Sequence, residues 1–471
     1  MTKYRGLYDR LRRLIEDGTY AAGERLPSLR SVAGAEGLGL NTVRAAYDLL
    51  AAEGLARSRE RGGYFAARPR GASALGGYVP PPACLEAEGL SSFRKMEYIL
   101  AAGGASAGFA LAEPDPDLLP VARLERLNAS LSGSWIEYGE PDGEVELRRR
   151  IAAAYATFHA GLRADDVIVT NGATEAISIA IRALVEPGDL VAVESPTYYD
   201  YFRQLAAARA RIVEVPVAPG LGMDLELLSS LLRKKKVRMI IAQPNVQNPT
   251  GTIMPDGEKA RLVALAGREG CILVQDDVYG DLAFPRPSSG GERPANLSLF
   301  GDYERLVYLS SFSKCLAPGL RIGWIRARGL KAELSRAKSL SSLMTARPAQ
   351  RVLAAYLAGP WFRKHLHSMR SALASQLKAY LALLSASLPE GSSIARPEGG
   401  CLLWISLPKG CAASRVFEEA AREGILAAPG ELFSTNPYFR SHLRVNFGYR
   451  LTDARAARLE RLCGIAARET A

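Results

Sequence analysis

The sequence predicts an α/β protein in two parts: a small three-helix head closed by a hairpin, and a large domain whose mostly parallel sheet is followed by a smaller α+β lobe. Three observations predict it. Apolar or β-branched runs, DVIVT, LVAVESP, RMIIAQP, CILVQDD and LVYLSSF, alternate with helical patterns roughly a dozen residues long, as a parallel sheet with crossover helices requires. A stretch rich in Pro, Gly, Ala and Ser, containing GASALGGYVPPPA and AAGGASAG, separates that pattern from what precedes it, and such a composition buries little surface. Finally, 471 residues exceed the size at which one hydrophobic core stops growing. The expected divisions are a head over 1–67, a flexible linker over 68–107 and a large domain over 108–471, with a large lobe over about 135–345 and a small lobe over about 346–471.

In the head, Leu7, Leu11, Leu14 and Ile15 recur at helical spacing and give a first helix its apolar stripe, after which Gly18 and Gly23 punctuate the chain. Pro27 and Ser28 open a second helix that turns Val32 and Ala33 inward, with the Ser28 hydroxyl placed to cap it. Gly37 and Gly39 make a turn. A third helix starts near Asn41 or Thr42, buries Val43, Tyr47 and Leu50, leaves Thr42 and Arg44 outside, and ends at Gly54. Two short strands in LARSRERGGYFAA then meet at Gly62 and Gly63, residues that supply the positive φ of a tight hairpin. Beyond the sheet pattern, the chain from about Ala349 is helix-rich with two strand candidates, CLLWISL and HLRVNFG.

Formal net charge is +11, and the first 70 residues carry 13 basic against 8 acidic side chains, so the head has the highest charge density. That favours a polyanionic partner. No apolar run approaches the length that spans a bilayer, and MTKYRGLYDR lacks the apolar stretch of a secretory signal. The cysteines at 84, 271, 315, 401, 411 and 463 have no framework spacing, which fits a reducing cytoplasm. His365 and His367 lie on a basic helical stretch without a third ligand and read as solvated, so no metal is assigned.

The chemistry sits at the carboxyl ends of the strands, where open α/β sheets bind ligands. TNGATEA follows DVIVT and starts a helix, so the N–H groups of Gly172, Ala173 and Thr174 can meet a phosphate at the positive end of a helix dipole. QNPTG puts Asn248 after RMIIAQP, VQDDVYGD puts Asp276 and Tyr279 three apart after CILVQ, and SSFSKCLAPGLRIG carries Ser311, Lys314 and Arg321. Singly, a lysine after a serine-rich strand is a surface residue and NPTG is a turn.

Together, NPTG, D-x-x-Y, S-x-S-K and an arginine seven residues after the lysine, in this order, resemble the fold-type I pyridoxal phosphate enzymes of the aminotransferase class. The resemblance implies pyridoxal 5′-phosphate as cofactor and Lys314 as the amine that condenses with its aldehyde. It implies Asp276, not Asp277, as the carboxylate that keeps the pyridine nitrogen protonated. It further implies Tyr279 and Asn248 at the ring oxygen, Ser311 and Arg321 in the phosphate cup, and Tyr198 of ESPTYYD on the ring face. Tyr138 resembles the tyrosine that reaches the neighbouring subunit's phosphate, implying a homodimer. Arg444 in HLRVNFGY resembles the arginine that grips a substrate α-carboxylate with both guanidinium donors.

The segment LYDRLRRLIEDGTYAAGERLPSLRSVAGAEGLGLNTVRAAYDLLAAEGL resembles the winged helix-turn-helix of GntR-type regulators, with Leu40 a departure where that family often carries a small hydroxyl residue. The resemblance implies double-stranded DNA as partner. It puts Asn41, Thr42 and Arg44 in the major groove, Arg30 on the backbone, Arg59 and Arg61 on phosphates, and Gly63 at a wing tip that approaches the minor groove. Joined, the two parts resemble the MocR subfamily of GntR regulators. This implies a transcription factor that responds to an amino acid, an amine or pyridoxal phosphate itself, with residual transaminase half-reaction chemistry within its means. The alternative is an aminotransferase with an N-terminal extension; a lyase or decarboxylase on the same cofactor is compatible with the same motifs.

Overall fold

A computed structural model describes residues 3–16, 20, 24–52, 55–59, 63–66, 84–86, 93–102, 108–131, 136–285 and 293–470 of the chain. In the head, helix α1 (Lys3–Glu16) buries Leu7, Tyr8, Leu11 and Ile15. Helix α2 (Leu29–Glu36) starts where the Ser28 hydroxyl accepts the Ser31 N–H at 3.1 Å, and stops at Gly37 with φ +61°. Helix α3 (Leu40–Ala52) begins at Leu40, slightly ahead of the predicted start, and turns Val43, Ala46, Tyr47 and Leu50 into the head's core. The Tyr47 hydroxyl donates to the Pro27 carbonyl at 2.9 Å, which fixes α3 against the start of α2. Strands β1 (Ala56–Arg59) and β2 (Gly63–Ala66) pair antiparallel with Arg59 opposite Gly63, whose φ is +86°. The Tyr64 hydroxyl donates to Asp48 at 2.6 Å, so the hairpin is tied to α3.

The body holds a nine-stranded sheet, counted among the described residues. Its strands in chain order are β3 (Leu85–Glu86), β4 (Val167–Thr170), β5 (Leu190–Ser195), β6 (Arg211–Ala218), β7 (Gly222–Met223), β8 (Val237–Ala242), β9 (Ile272–Asp276), β10 (Leu306–Ser311) and β11 (Gly323–Ala327). They lie in the order β3-β6-β5-β8-β9-β10-β11-β4, with β7 on β6. Pairs among β6, β5, β8, β9 and β10 are parallel. Strand β11 runs against both neighbours. Alternate residues enter opposite apolar layers, Met239 and Ile241 one, Ile240 and Ala242 the other, so both faces are covered and the strands read as continuous apolar runs.

The small lobe adds an antiparallel sheet of β12 (Ser393–Ala395), β13 (Leu402–Ser406), β14 (Ala428–Pro429) and β15 (His442–Asn446), in the order β12-β13-β15-β14. Both predicted strands of this lobe are there, as β13 and β15. The expected linker over 68–107 needs correction. Residues Phe93–Ala102 form a helix whose Met96 and Ile99 are buried with Trp404, Phe417 and Phe433, and β3 pairs with β6. Apolar residues three apart give that helix an inward face, and its Gly- and Pro-rich flanks hide this in an averaged composition. Downstream, a strap over 108–115 is fastened through its carbonyls. The Asn446 N–H donates to Phe109, the Asn446 amide to Leu111 and Glu113, and the Arg455 guanidinium to Gly108.

Candidate functional site

The carboxyl ends of β4, β5, β8, β9 and β10 open on one cavity, and the small lobe supplies Arg444 to it. Of twelve body residues expected there from the sequence, ten line this cavity: Ala173, Thr174, Tyr198, Asn248, Asp276, Tyr279, Ser311, Lys314, Arg321 and Arg444. Gly172 stands just behind, as the N-cap of the helix Ala173–Leu184 with φ +83°. A Cβ there would collide with the Arg321 guanidinium, so the glycine makes room for the arginine. Tyr138 is elsewhere, 83% exposed on the surface.

One end of the cavity is built for an anion. The first turn of the helix Ala173–Leu184 leaves backbone N–H groups unpaired within the helix. Beside it, Arg321 donates to the Ser313 hydroxyl and the Asn171 carbonyl, each at 3.3 Å, and the Ser311 hydroxyl bonds Ser313 at 2.9 Å. Arg321 itself adopts a left-handed backbone with φ +52°, which turns its side chain back toward the helix start.

The other end pairs a carboxylate with the hydroxyl of a buried tyrosine. Burial raises Asp276 to about 6, and two donors hold it below what burial alone would give: the Tyr201 hydroxyl at 2.5 Å and the Val278 N–H at 3.1 Å. Gln243 donates to Tyr201 at 3.1 Å, and its carbonyl accepts the Asn248 N–H at 2.9 Å. Asp277 faces the other way. It takes an ion pair from Arg293 and a hydrogen bond from the Tyr308 hydroxyl at 3.0 Å. Adjacent carboxylates thus have separate tasks, one open to the cavity and one bound into the core.

Lys314 lies between these ends. Burial pushes its amine below the ordinary lysine range, and the nearby Arg444 and Arg321 cations push the same way, so a larger share of it is the neutral nucleophile. Arg444 is 1% exposed. It donates to Asn248 Oδ1 at 3.2 Å and to the Ala110 carbonyl of the strap at 2.5 Å, and stands 4.6 Å over the Phe433 ring. Among the described residues its Nε meets no acceptor. A buried guanidinium whose bonds are to neutral acceptors is poised for a carboxylate.

Several residues escaped the sequence reading. Ser313 belongs to the anion end, and the S-x-S-K motif contained the signal. Tyr199 lines the cavity 4.7 Å from Tyr198, and Tyr201 supports Asp276; the run YYDY held both, without a period to say which ring points where. Met96, Leu100, Leu111, Ala112 and Glu113 form a further wall, of which the linker reading concealed Met96 and Leu100. His365 is also corrected: it is half-buried and its Nε2 lies 2.7 Å from the Cys315 carbonyl, next to Lys314, while His367 is exposed.

On the head, Arg30, Asn41 and Arg44 are exposed and Thr42 is half-buried. Asn41, Arg44 and Asp48 follow one face of α3, opposite Val43, Tyr47 and Leu50. Gly63 is exposed at the start of β2. The side chain of Arg59, and Arg61 and Gly62 entirely, lie outside the described residues.

Residues 107–461 match the family described as aminotransferase class I and II, and residues 3–65 match that described as bacterial regulatory proteins, gntR family. The HTH-type transcriptional regulator YdcR of Escherichia coli (strain K12) is 33% identical over 451 residues, 95% of each chain. The probable rhizopine catabolism regulatory protein MocR of Rhizobium meliloti is 28% identical over 90% of this chain and 86% of its own. Among solved structures, the α-aminoadipate aminotransferase LysN from Thermus thermophilus, complexed with N-(5′-phosphopyridoxyl)-L-leucine, has a TM-score of 0.72 at 27% identity, over 79% of this chain and 94% of that one. Among the described residues no helix is long and apolar enough to cross a membrane.

Proposed function

Because the chain belongs to the aminotransferase class I and II family over most of its length, and with its gntR-family front to the MocR-type regulators, we propose that it is a cytoplasmic, DNA-binding transcriptional regulator whose body holds pyridoxal 5′-phosphate and senses an amino acid. The observation that carries this reading is the convergence of a desolvated lysine, an anion cup, a buried carboxylate and a buried arginine on one cavity, in a chain that also bears a basic helical head.

The cavity fits the cofactor on its own chemistry. The helix N-terminus, Ser311, Ser313 and Arg321 suit a phosphate, and Gly172 leaves the cradle clear where a Cβ would fill it. When bound, pyridoxal phosphate supplies an aldehyde that a primary amine can capture and a ring that accepts electrons. Lys314 provides the resident amine. Asp276, held by Tyr201, would keep a proton at the ring nitrogen, Asn248 and Tyr279 would hold the ring oxygen, and Tyr198 would pack on the ring.

Arg444 binds the ligand's carboxylate, and its bond to Ala110 gives that event a consequence. A carboxylate that recruits the guanidinium competes with the strap carbonyl, and the strap comes next in sequence after the helix Phe93–Ala102 on the head's side of the chain. A ligand moves an equilibrium only by its differential affinity for two states, and the bond from Arg444 to the strap is the contact such a ligand would change. The exposed Tyr138 serves a partner subunit's cavity, so the working unit is a homodimer that presents two heads to DNA half-sites, with Asn41, Thr42 and Arg44 at base edges or phosphates and Arg30 on the backbone.

The test is a mobility-shift titration of the cofactor-loaded protein on the DNA upstream of its own gene, with amino acids and free pyridoxal phosphate added in turn. Retention that changes with one of these is the expected result. No retention on any upstream fragment, together with multiple-turnover transamination, would replace the regulator by an aminotransferase with an idle extension.

A further inference from the structure

We infer that the sensed amino acid carries an aliphatic, uncharged side chain, and that Leu100 on the helix Phe93–Ala102 is a specificity-determining residue for it. The inference rests on the reading of the cavity given above and deepens it.

The cavity's lining divides by chemistry. The anion cup, the ring contacts and Arg444 account for its ionic and hydroxyl-bearing groups apart from Glu113 and Tyr199, whose hydroxyl is engaged with Tyr198. Apart from Ile177 and Val278, the apolar lining that remains is Met96, Leu100, Leu111 and Ala112, of which Leu111 and Ala112 follow the Ala110 whose carbonyl Arg444 bonds. Met96 and Leu100 are four apart on one helix and so share a face. They differ in what they touch: Met96 is buried in the packing between helix and small lobe, whereas Leu100 is 48% exposed although it lines the cavity. A leucine left half in water at a cavity rim gains by acquiring an apolar neighbour. Leu111 and Ala112 lie on the strap, whose carbonyls at Leu111 and Glu113 are taken by the Asn446 amide. The Leu111 carbonyl is therefore already satisfied, and its side chain is what that residue offers a ligand.

An ionised side chain laid along this wall would lose its hydration without recovering hydrogen bonds. Glu113 is the exception, since its carboxylate stands within electrostatic reach of Lys314 and Cys401. It opposes an acidic ligand side chain. A basic one is the competing case, and the experiment separates it.

The cofactor-loaded full-length protein is titrated with alanine, 2-aminobutyrate, norvaline, leucine, aspartate and lysine, followed by the cofactor's visible absorption and by calorimetry. Affinity is expected to rise about fourfold for each added methylene along the aliphatic series, with aspartate and lysine weaker than leucine. Leu100→Asp should flatten the series while leaving the absorption spectrum and the Tm of the loaded protein unchanged, as a half-exposed position permits; Leu100→Ala should weaken leucine alone by several-fold. A flat wild-type series with a normal cofactor spectrum overturns the inference and leaves the cofactor reading standing. Tightest binding by lysine overturns it in favour of Glu113 as the reader. A series that keeps its slope in Leu100→Asp removes Leu100 from the wall. A protein that takes up no cofactor overturns the inference together with the reading beneath it.

Discussion

The head and the cavity handle polar side chains in opposite ways. On α3, Asn41 and Arg44 stand exposed over a helix whose other face buries Val43, Tyr47 and Leu50, so their hydration and charge are largely intact. In the cavity, Asp276, Asn248 and Arg444 are buried and bonded to one another's supports. A groove reader needs donors that a partner can desolvate, and long-range charge brings that partner close. A site that recognises a small molecule needs groups desolvated beforehand, whose charge and direction are fixed by neighbours. Substitutions should therefore fail differently in the two regions: abruptly and irrespective of salt in the cavity, gradually and with strong salt dependence on the head.

The largest expected effect is at Lys314. Lys314→Ala should abolish the cofactor's visible absorption, while circular dichroism and DNA retention by the head persist; undiminished colour would remove the lysine from its role. Next comes Arg444→Ala, which leaves the Ala110 carbonyl and Asn248 Oδ1 without their donor and a ligand carboxylate without its partner. Truncating one side of a buried, hydrogen-bonded charge pair costs about 2–5 kcal/mol. Amino-acid titration should show that loss with the cofactor spectrum retained, and Arg444→Lys should recover part of it. An affinity equal to the wild type's would break the contrast at its strongest point.

On the head the expected losses are smaller. Arg44→Ala should weaken binding to an upstream fragment by about 1–3 kcal/mol if it reaches a base edge, or lower the salt slope by about one if it reaches a phosphate. Binding isotherms at several salt concentrations distinguish the two. Affinity and slope both unchanged would take Arg44 out of the interface, and a loss independent of salt would erase the distinction between the regions.

How far each region could be read beforehand follows from the same physics. The residues that meet in the cavity were legible because the chemistry they were expected to serve calls for particular residue types at the ends of successive strands: an amine, a carboxylate, an amide and a glycine whose Cβ would meet Arg321. The head was legible because Ser28, Gly37 and the stripe of Leu7, Leu11 and Ile15 are local signals. Strand β11 was not, since RIGWIRA is a short apolar run whose antiparallel direction is set by neighbours remote in sequence. The helix Phe93–Ala102 was hidden by its surroundings, and with it went the Met96 and Leu100 part of the cavity's apolar wall. Tyr201 was missed for a third reason. Its importance lies in one contact made through the fold, with Asp276 75 positions away, and nothing local in TYYDY announces it.

Tyr201 also gives the finest test of how the cavity presets its charges. Asp276 titrates near 6 in the folded chain because burial disfavours its charge, and the Tyr201 hydroxyl opposes that by bonding the carboxylate. In the cofactor-free chain the carboxylate takes up a proton as pH falls through about 6, so below that pH a cofactor with a protonated ring nitrogen would have to displace that proton in order to bind. Cofactor retention should therefore be full above that pH and decline below it. In the cofactor-free chain the sign reverses: a carboxyl raised above its ordinary value stabilises the fold in its protonated form, a contribution present at low pH and lost as pH rises through about 6. Tyr201→Phe removes the donor, so both midpoints should move upward, by up to about one unit or about 1.4 kcal/mol. Absorbance-detected cofactor affinity and Tm, each followed from about pH 5 to 8, should show the two profiles shifting together in the variant. Coincident wild-type and variant profiles would mean that Asp276 owes its readiness to burial and the Val278 N–H alone.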